Sequence, residues 1–529
     1  MGIYFNPDSQ AFQRRLRNRI FVDKSELIKF TNDRLMSDDG YICVSRPRRF
    51  GKSTTLDMLA AYYSREADAK KIFAELKVSQ TDSFEENLNQ YNVIYFDMQR
   101  FLNAAENDIY AMIKLISQSI IGEIQEYNKS CHIEETRLSA FLEKYYYTEK
   151  TPFVFLIDEW DCVFRIIQAD EEQKKTYLNF LRDLLKGQTY VALAYMTGIL
   201  PIKQYGQHSI LNMFYEYSMI HSFAMSSYVG FTSDEVRDLC NKYEVDFDEM
   251  KDWYDGYRLD GVELYCPKSV VCALENKKFI NYWARTEYYA ALEKYITMNI
   301  KGLKDIVISL LAGNKESVNT DKFSNDMFDI KSRDDVLTLL IHLGYLGYLE
   351  ENSEVFIPNR EIAKEFISSI EDNEDFSETN EAIIASKRLL ENTLKKQEMK
   401  VAHQICEVHR KNISSLHYNN EQSLRTVILL AYYYARDYYH IVQEIPAGDG
   451  FADIMLIPKF NADPEKYTPM IIELKWDDDP DSAINQIKSK KYFSPLEDYN
   501  KVLLVGITYD KKTKEHNCKI EEYKLTFVE

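Results

Sequence analysis

Four short apolar runs punctuate the first 200 residues: Tyr41–Ser45 (YICVS), Val93–Met98 (VIYFDM), Phe153–Ile157 (FVFLI) and Tyr190–Gly198 (YVALAYMTG). They are too short and too continuously apolar for surface helices, so they predict strands buried on both faces of a parallel sheet. Between them AENDIYAMIKLISQSIIGEIQEYN has helical periodicity, and strand–helix alternation predicts an α/β domain over 1–225. From Phe231 to Lys301 helical patterns dominate and no strand is expected, which gives a helical lid region over 226–320. DDVLTLLIHLGYLGYLEENSEVFIPNREIAKEFI then reads as helix, short hairpin and helix, the outline of a winged helix, assigned to 321–372. Glu371–Glu381 is acidic and almost free of aliphatic residues, as a linker or a linker with a helix cap would be. A helix-rich stretch follows to Tyr439. The strand-like runs HIVQEIP, ADIMLIP, MIIELKW and KVLLVGITY then close an α/β domain over 373–529.

Composition narrows the class. The chain has 529 residues, 45% of them hydrophobic, so cores of ordinary size are expected. No run of about 18 apolar residues predicts a membrane helix, and no apolar core of a signal peptide follows Met1. Eight scattered cysteines without a CxxC pair read as small buried residues in a reducing compartment, so a cytoplasmic location is expected. The net charge of −19 argues against a generally basic nucleic-acid coat but says nothing about one local groove.

The first candidate site is SRPRRFGKSTTLD, Ser45 to Asp57. A phosphate-binding loop needs backbone N–H groups around the phosphates, a lysine for the terminal ones, a hydroxyl for Mg²⁺ and a following helix. Gly51, Lys52 and Ser53 meet that need after a strand, although Arg46 stands where the first glycine is usual. Arg46, Arg48 and Arg49 add positive charge for a polyanion, and Phe50 and Thr54 complete the stretch around the nucleotide. FVFLIDEWD puts Asp158 at the C-terminal edge of a strand, where it can hold the Mg²⁺ shell, with Glu159 to orient an attacking water. Thr197, at the end of a later strand, is placed to sense the γ-phosphate.

With these motifs on the page, RPRRFGKS, LIDEWD, MTGILPIKQ, GFTSDEV, WYDGYRL, YCPKSV and GYLGYLEENSEVFIPNREI together resemble the bacterial AAA-ATPase-like family. That family is often joined to a C-terminal domain of the PD-(D/E)XK nuclease superfamily. The resemblance implies that Arg46 is a family trait, and an N-terminal P-loop (RecA/AAA-like) fold.

The second candidate site begins with Asp453 near a strand start. Glu473 and Lys475 share a face of the next strand, because residues two apart point the same way. The intervening PKFNADPEKYTP reads as a long turn between antiparallel strands, which lets the two acids meet. Metal-assisted phosphodiester hydrolysis needs such acids and a lysine. Glu421, opening EQSLRTVILLAYYYA, offers a further group, and the helix AINQIKSKKYF offers Gln486 and Tyr492. The resemblance carries over Glu421, Asp453, Glu473, Lys475 and Gln486 as the site of a PD-(D/E)XK-like domain. Lys488, Lys490, Lys491, Lys511, Lys512 and Lys514 give a local basic face for phosphate contacts.

The expected cofactors are ATP and Mg²⁺, with Mn²⁺ an alternative at the second site. Expected metal ligands are Ser53 and Asp158 in the first site and Glu421, Asp453 and Glu473 in the second. The expected function is a nucleotide-gated, metal-dependent nuclease acting on nucleic acid, DNA first, in defence against foreign DNA. A homo-oligomer is left open. The alternative is an ATP-dependent switch or scaffold whose nuclease-like domain binds nucleic acid or a partner without cutting.

Overall fold

The computed structural model describes residues 2–165, 169–202, 210–283, 289–324, 329–412, 421–448 and 450–525; the side chains of 289–291, 421 and 422 lie outside the description. The chain divides into two compact units, Met1–Tyr288 with Ser317–Lys364 and Tyr289–Glu316 with Glu365–Glu529.

The first unit is built on a five-stranded sheet of β1 (Tyr41–Ser45), β2 (Asn92–Asp97), β3 (Phe153–Asp158), β4 (Val191–Gly198) and β5 (Tyr215–Tyr217). Its order is β2-β3-β4-β1-β5 and every pairing is parallel. Strand β3 is buried along its whole length, as the continuous apolar runs require. Helix α1 (Lys52–Tyr63) follows β1. Helix α2 (Ile109–Tyr127) is capped by the Asp108 side chain, which accepts from the Ala111 N–H, and buries Ile109, Met112, Ile116, Ile120 and Ile124 on one stripe. Helix α3 (Glu171–Leu185) starts with a capping box between Asp170 and Gln173.

Beyond the sheet the expected helices are present, but the expectation of no strand needs correction. Alongside α4 (Ser233–Tyr243), α5 (Phe247–Tyr254) and α6 (Pro267–Asn276) there is a three-stranded antiparallel sheet. It consists of β6 (Phe231–Thr232), β7 (Tyr257–Leu259) and β8 (Val262–Tyr265), ordered β6-β8-β7. The local signal was the turn: Asp260 and Gly261 have φ of 48° and 81°, the paired left-handed geometry of a tight hairpin between alternating residues. Helix α7 (Arg333–Leu343), a hairpin of β9 (Gly347–Leu349) and β10 (Glu354–Phe356), and helix α8 (Arg360–Ile370) follow.

In the second unit, α9 (Ser377–Leu394), α10 (Glu398–Asn412) and α11 (Glu421–Ala431) pack together. Of the two readings of 371–381, the plain linker does not hold and the helix start does: Phe376 is buried and Ser377 onward is helix. Its acids are concentrated before and in the first turn of α9, where the helix dipole favours negative charge. The sheet runs β11-β12-β13-β14-β15, from β11 (Tyr439–Ala447), β12 (Gly450–Pro458), β13 (Met470–Trp476), β14 (Lys501–Asp510) and β15 (Glu515–Lys524). Only β13 and β14 pair in parallel, and α12 (Pro480–Ser489) makes the crossover between them. Ala447, Ala452, Met455, Ile471, Ile484, Ile487, Val502 and Leu504 form the core beneath α12. All eight cysteines are free, and Cys43, Cys162, Cys240 and Cys266 are buried. Among the described residues no helix is long and apolar enough to cross a membrane.

Candidate functional site

The turn after β1 reverses into α1 at Gly51, whose φ of 93° disfavours any residue with a Cβ. The restriction is conformational, since a Cβ there would meet nothing within 4 Å. Open space over a glycine at a helix N-terminus is what a bound phosphate requires. Lys52 is buried, and its Nζ donates to the carbonyls of Arg46 at 2.8 Å and Pro47 at 3.0 Å. Burial pulls its pKa below the ordinary lysine value, against the opposing pull of Glu159, Asp158 and Asp161. Ser53 Oγ donates to Asp158 Oδ2 at 2.6 Å, and Thr197 Oγ1 donates to Asp158 Oδ1. The sheet order explains this triad, because β4 lies between the loop-bearing β1 and the acid-bearing β3.

Arg46 belongs to the framework instead of the phosphate cradle. It is fully buried, and its guanidinium donates to the carbonyls of Ser45, Tyr217 and Ser218 at 2.9, 3.1 and 2.9 Å and to Ser222 Oγ. Burial lowers its pKa to about 10. The expected nucleotide-binding role of this side chain is therefore corrected: it fastens the end of β1 to the segment after β5. Phe50 is likewise buried, edge-on to Tyr257 with ring centroids 5.4 Å apart, so its side chain packs under the loop and does not face the cradle. Arg49 donates to the Tyr282 carbonyl at 2.8 Å. Arg48 and Thr54 are half-buried in the loop and the first turn of α1. The loop is also braced from the C-terminal end of α7, where a Cβ on Gly344 would come within 2.8 Å of Pro47.

Glu159 stands beside this cradle with φ of 53°, a left-handed conformation seen often where a side chain is aimed for function. Its carboxylate is ion-paired with Arg165, whose Nε is also 2.9 Å from Asp161. Burial pushes the Glu159 pKa up, but Arg165, Lys52 and Arg48 outweigh it and hold the group below the ordinary value. Asp161 accepts from the N–H groups of Ile199 and Leu200 at 3.0 and 2.7 Å, tying the turn after β3 to the one after β4. The sequence offers Arg165 only as one of two unassigned arginine-finger candidates, with Arg182, and does not single out Asp161; the DEWDCVFR spacing is the local signal for their pairing. Asp97, level with Asp158 across β2 and β3, was also missed.

In the second unit the last described pair of the β12–β13 ladder at this end is Ile454 with Ile472, so Asp453 and Glu473 sit just beyond it. Asp453 Oδ2 accepts from the Leu474 N–H at 2.8 Å. Glu473 is 3% exposed, and its Oε1 accepts from Gln486 Nε2 and lies 3.5 Å from Lys475 Nζ. Gln486 is in turn 3.1 Å from the Tyr492 hydroxyl. Burial first, then Asp453, raises the Glu473 pKa to about 7 against the pull of Lys475. Its Oε2 is buried and has no hydrogen-bond partner among the described residues. An orphaned carboxylate oxygen next to a second acid fits a hard divalent cation. No cluster of three metal-ligating side chains forms among the described residues, and Glu421, which opens α11, has its side chain outside them. Arg425, one turn further along α11, donates to Glu444 at 2.6 Å and is 3.9 Å from Asp453, a pairing with no sequence signature.

The basic face is smaller than expected. Lys488 is engaged by Glu521 at 2.6 and 2.8 Å, and Lys511 lies 3.8 Å from Asp477 and over the Trp476 ring. Lys490, Lys491, Lys512 and Lys514 are exposed.

These two sites fall in the regions that match known families. Residues 9–207 match the family described as predicted AAA-ATPase, and residues 419–519 match the PD-(D/E)XK nuclease superfamily. The chain thus joins an AAA-ATPase-like region, on a P-loop parallel sheet, to a C-terminal region of the PD-(D/E)XK superfamily. An uncharacterized protein in the vnfD 5′ region of Azotobacter chroococcum mcd 1 is 24% identical over 261 residues, and the match spans 48% of each chain. Among solved structures, a Walker-type ATPase of Pyrococcus abyssi aligns with a TM-score of 0.34 and 13% identity, over 65% of this chain and 94% of that one. The Aeropyrum pernix ORC2 protein aligns with a TM-score of 0.32 and 13% identity, over 70% of this chain and 98% of that one.

Proposed function

We propose that this chain hydrolyses ATP and that its nucleotide state controls a metal-dependent nuclease in the second unit, acting on DNA. One observation carries the nuclease half: Glu473 Oε2 is buried and unpartnered among the described residues beside Asp453 and Lys475. The ATPase half is supported by the meeting of Ser53, Asp158 and Thr197 below the open cradle at Gly51.

In the first site Lys52 exchanges the carbonyls of Arg46 and Pro47 for phosphate oxygens, and the N-terminus of α1 presents its N–H groups to them. Arg48 adds charge at the cradle. Mg²⁺, held by Ser53 and Asp158, supplies neutralisation of the phosphate charge. Glu159 orients the attacking water once it turns from Arg165, and Thr197 reads the terminal phosphate through its bond to Asp158. In the second site Asp453 and Glu473 would hold a divalent cation, which would supply Lewis-acid polarisation of the phosphodiester; the side chain of Glu421, the further ligand expected from sequence, lies outside the described residues. Gln486 fixes the Glu473 carboxylate, and Lys475 stabilises developing negative charge.

The link between the sites is supported by the bracing of the phosphate loop by Tyr257, Tyr282 and Gly344, which lie in the middle region that leads to the second unit. In this reading the winged-helix-like segment, 321–372, transmits nucleotide state. The four segments 1–225, 226–320, 321–372 and 373–529 act as ATPase, lid, winged helix and nuclease, and the biological role is defence against foreign DNA inside the cell. The scaffold alternative is favoured by the pairing of Lys488 with Glu521 and of Lys511 with Asp477, which takes two cations from the expected phosphate-binding face.

The test is cleavage of plasmid and linear DNA with Mg²⁺ or Mn²⁺ by wild type and Glu473→Ala. Cutting by the wild type that the variant lacks supports the nuclease. Equal cutting, or none from either protein on any substrate form, sinks it and leaves the scaffold reading.

A further inference from the structure

Arg425 stands between two acids at the second site and is satisfied by only one of them. Its side chain, 17% exposed, donates Nη1 to Glu444 Oε1 at 2.6 Å, while Nη2 stays 3.9 Å from Asp453 Oδ1. The first is a full charge-assisted hydrogen bond and the second is the outer limit of an ion pair. The register explains how one guanidinium reaches both. Gln443 pairs with Ile454 and Ile445 with Ala452, so Glu444 lies across from Asp453 on the neighbouring strand. Glu444 adopts φ of 49° within β11, a conformation that a residue with a Cβ takes reluctantly. The other Asp453 oxygen is held by the Leu474 N–H at 2.8 Å, so Oδ1 is the one that Arg425 faces.

We propose that Arg425 is a positioning residue that competes with the divalent cation for Asp453, and that Glu444 sets cation affinity by drawing the guanidinium away. The inference rests on the reading of Asp453 and Glu473 as a cation site. Its content is electrostatic: a positive charge on Asp453 opposes a cation there, and an acid that diverts this charge favours one. A merely structural Glu444–Arg425 bridge makes a different forecast, because loss of either partner would disturb Asp453 and weaken binding alike.

The experiment is Mn²⁺ binding to the full chain without nucleic acid, read by the free-Mn²⁺ electron paramagnetic resonance signal and by calorimetry. Arg425→Gln is expected to bind Mn²⁺ about tenfold more tightly than wild type and Glu444→Gln about tenfold more weakly, outer-shell changes being worth ~10–100-fold. The double variant is expected to fall between them. Tighter binding cannot come from a misfolded variant, and Glu444 is exposed, so its replacement should leave the fold intact. Shifts of the same sign, or no shift, overturn the proposal. Glu473→Ala separates the two levels: if it removes one of the bound Mn²⁺ ions and the other variants still shift together, only the competition fails. If the Mn²⁺ stoichiometry of Glu473→Ala equals that of the wild type, or the wild type and Arg425→Gln both bind none, the cation-site reading falls and takes the proposal with it.

Discussion

At the end of β3, Asp158 is held by Ser53 and Thr197, and Glu159 and Asp161 share Arg165; in β13, Glu473 is buried with one oxygen unpartnered among the described residues. Both regions put carboxylates on a strand inside an α/β layer, yet they manage the charge oppositely. The first site engages Asp158 and Glu159 internally, while Asp161 Oδ1 stays buried without a partner among the described residues, so a nucleotide at Asp158 and Glu159 must exchange existing bonds for new ones. The second site leaves a carboxylate whose pKa is raised to about 7 by burial and by Asp453. In the proposed function that unmet oxygen is where a cation would be held, whereas the Asp158 and Glu159 carboxylates start out engaged. On that reading a switch and a metal centre call for different resting states, one engaged at its reacting acids and the other incomplete.

The comparison breaks most visibly in activity. Glu473→Ala should lower metal-dependent DNA cleavage by more than the ~100-fold that an outer-shell change costs, measured as initial rates at saturating Mn²⁺. A rate within tenfold of wild type would mean that the incomplete site is not the reacting one.

Stability should distinguish the resting states next. Arg46→Ala is expected to destabilise the first unit by about 3 kcal/mol or more, since it strips a buried guanidinium from several acceptors, each charged bond being worth ~1.5–3 kcal/mol. Denaturant unfolding would read this, and Arg48→Ala should leave stability nearly unchanged while weakening ATP binding. In the second unit the sign reverses: Glu473→Gln should stabilise the metal-free protein by ~1–3 kcal/mol, because it removes a negative charge that burial and Asp453 disfavour, a pKa unit being worth ~1.4 kcal/mol. A loss of stability there would show that the carboxylate is satisfied by a group outside the described residues.

Acid sensitivity is the smallest effect and is shared. His342 in the first unit and His516 in the second are both lowered to about 3, His342 mainly by burial and His516 by burial and then His409. A histidine depressed below its unfolded value of about 6.5 binds its proton more readily in the unfolded chain. Each unit should therefore lose stability as pH falls from about 6.5 toward 3. Melting temperatures of wild type and His342→Leu at pH 7 and pH 5 would check this: the variant should show the smaller drop.

Much of this architecture was legible before the structure. Buried parallel strands announce themselves as continuous apolar runs, and Gly51-Lys52-Ser53 carries its chemistry in consecutive residues. Asp453, Glu473 and Lys475 were readable because two strands and a turn convert spacing into proximity. What escaped depends on direction or on distant partners. Charge beside a phosphate loop suggested that Arg46 faces phosphate, whereas its side chain runs the other way, to Tyr217 and Ser218. The hairpin Tyr257–Tyr265 was hidden among helical patterns because its strands are only three and four residues long. The acids before α9 looked like a linker because a helix start and a solvated loop share that composition. Arg425 meets Glu444 and Asp453 only after a helix folds onto two strands, so no local pattern could announce it.

If nucleotide in the first site controls cutting in the second, the DNA cleavage rate at saturating Mn²⁺, measured with and without ATP for wild type and Lys52→Ala, reads it. ATP should change the wild-type rate and leave the Lys52→Ala rate unchanged, with both proteins folded to the same extent. Identical rates with and without ATP in the wild type, under conditions where it binds and hydrolyses ATP, would contradict that control.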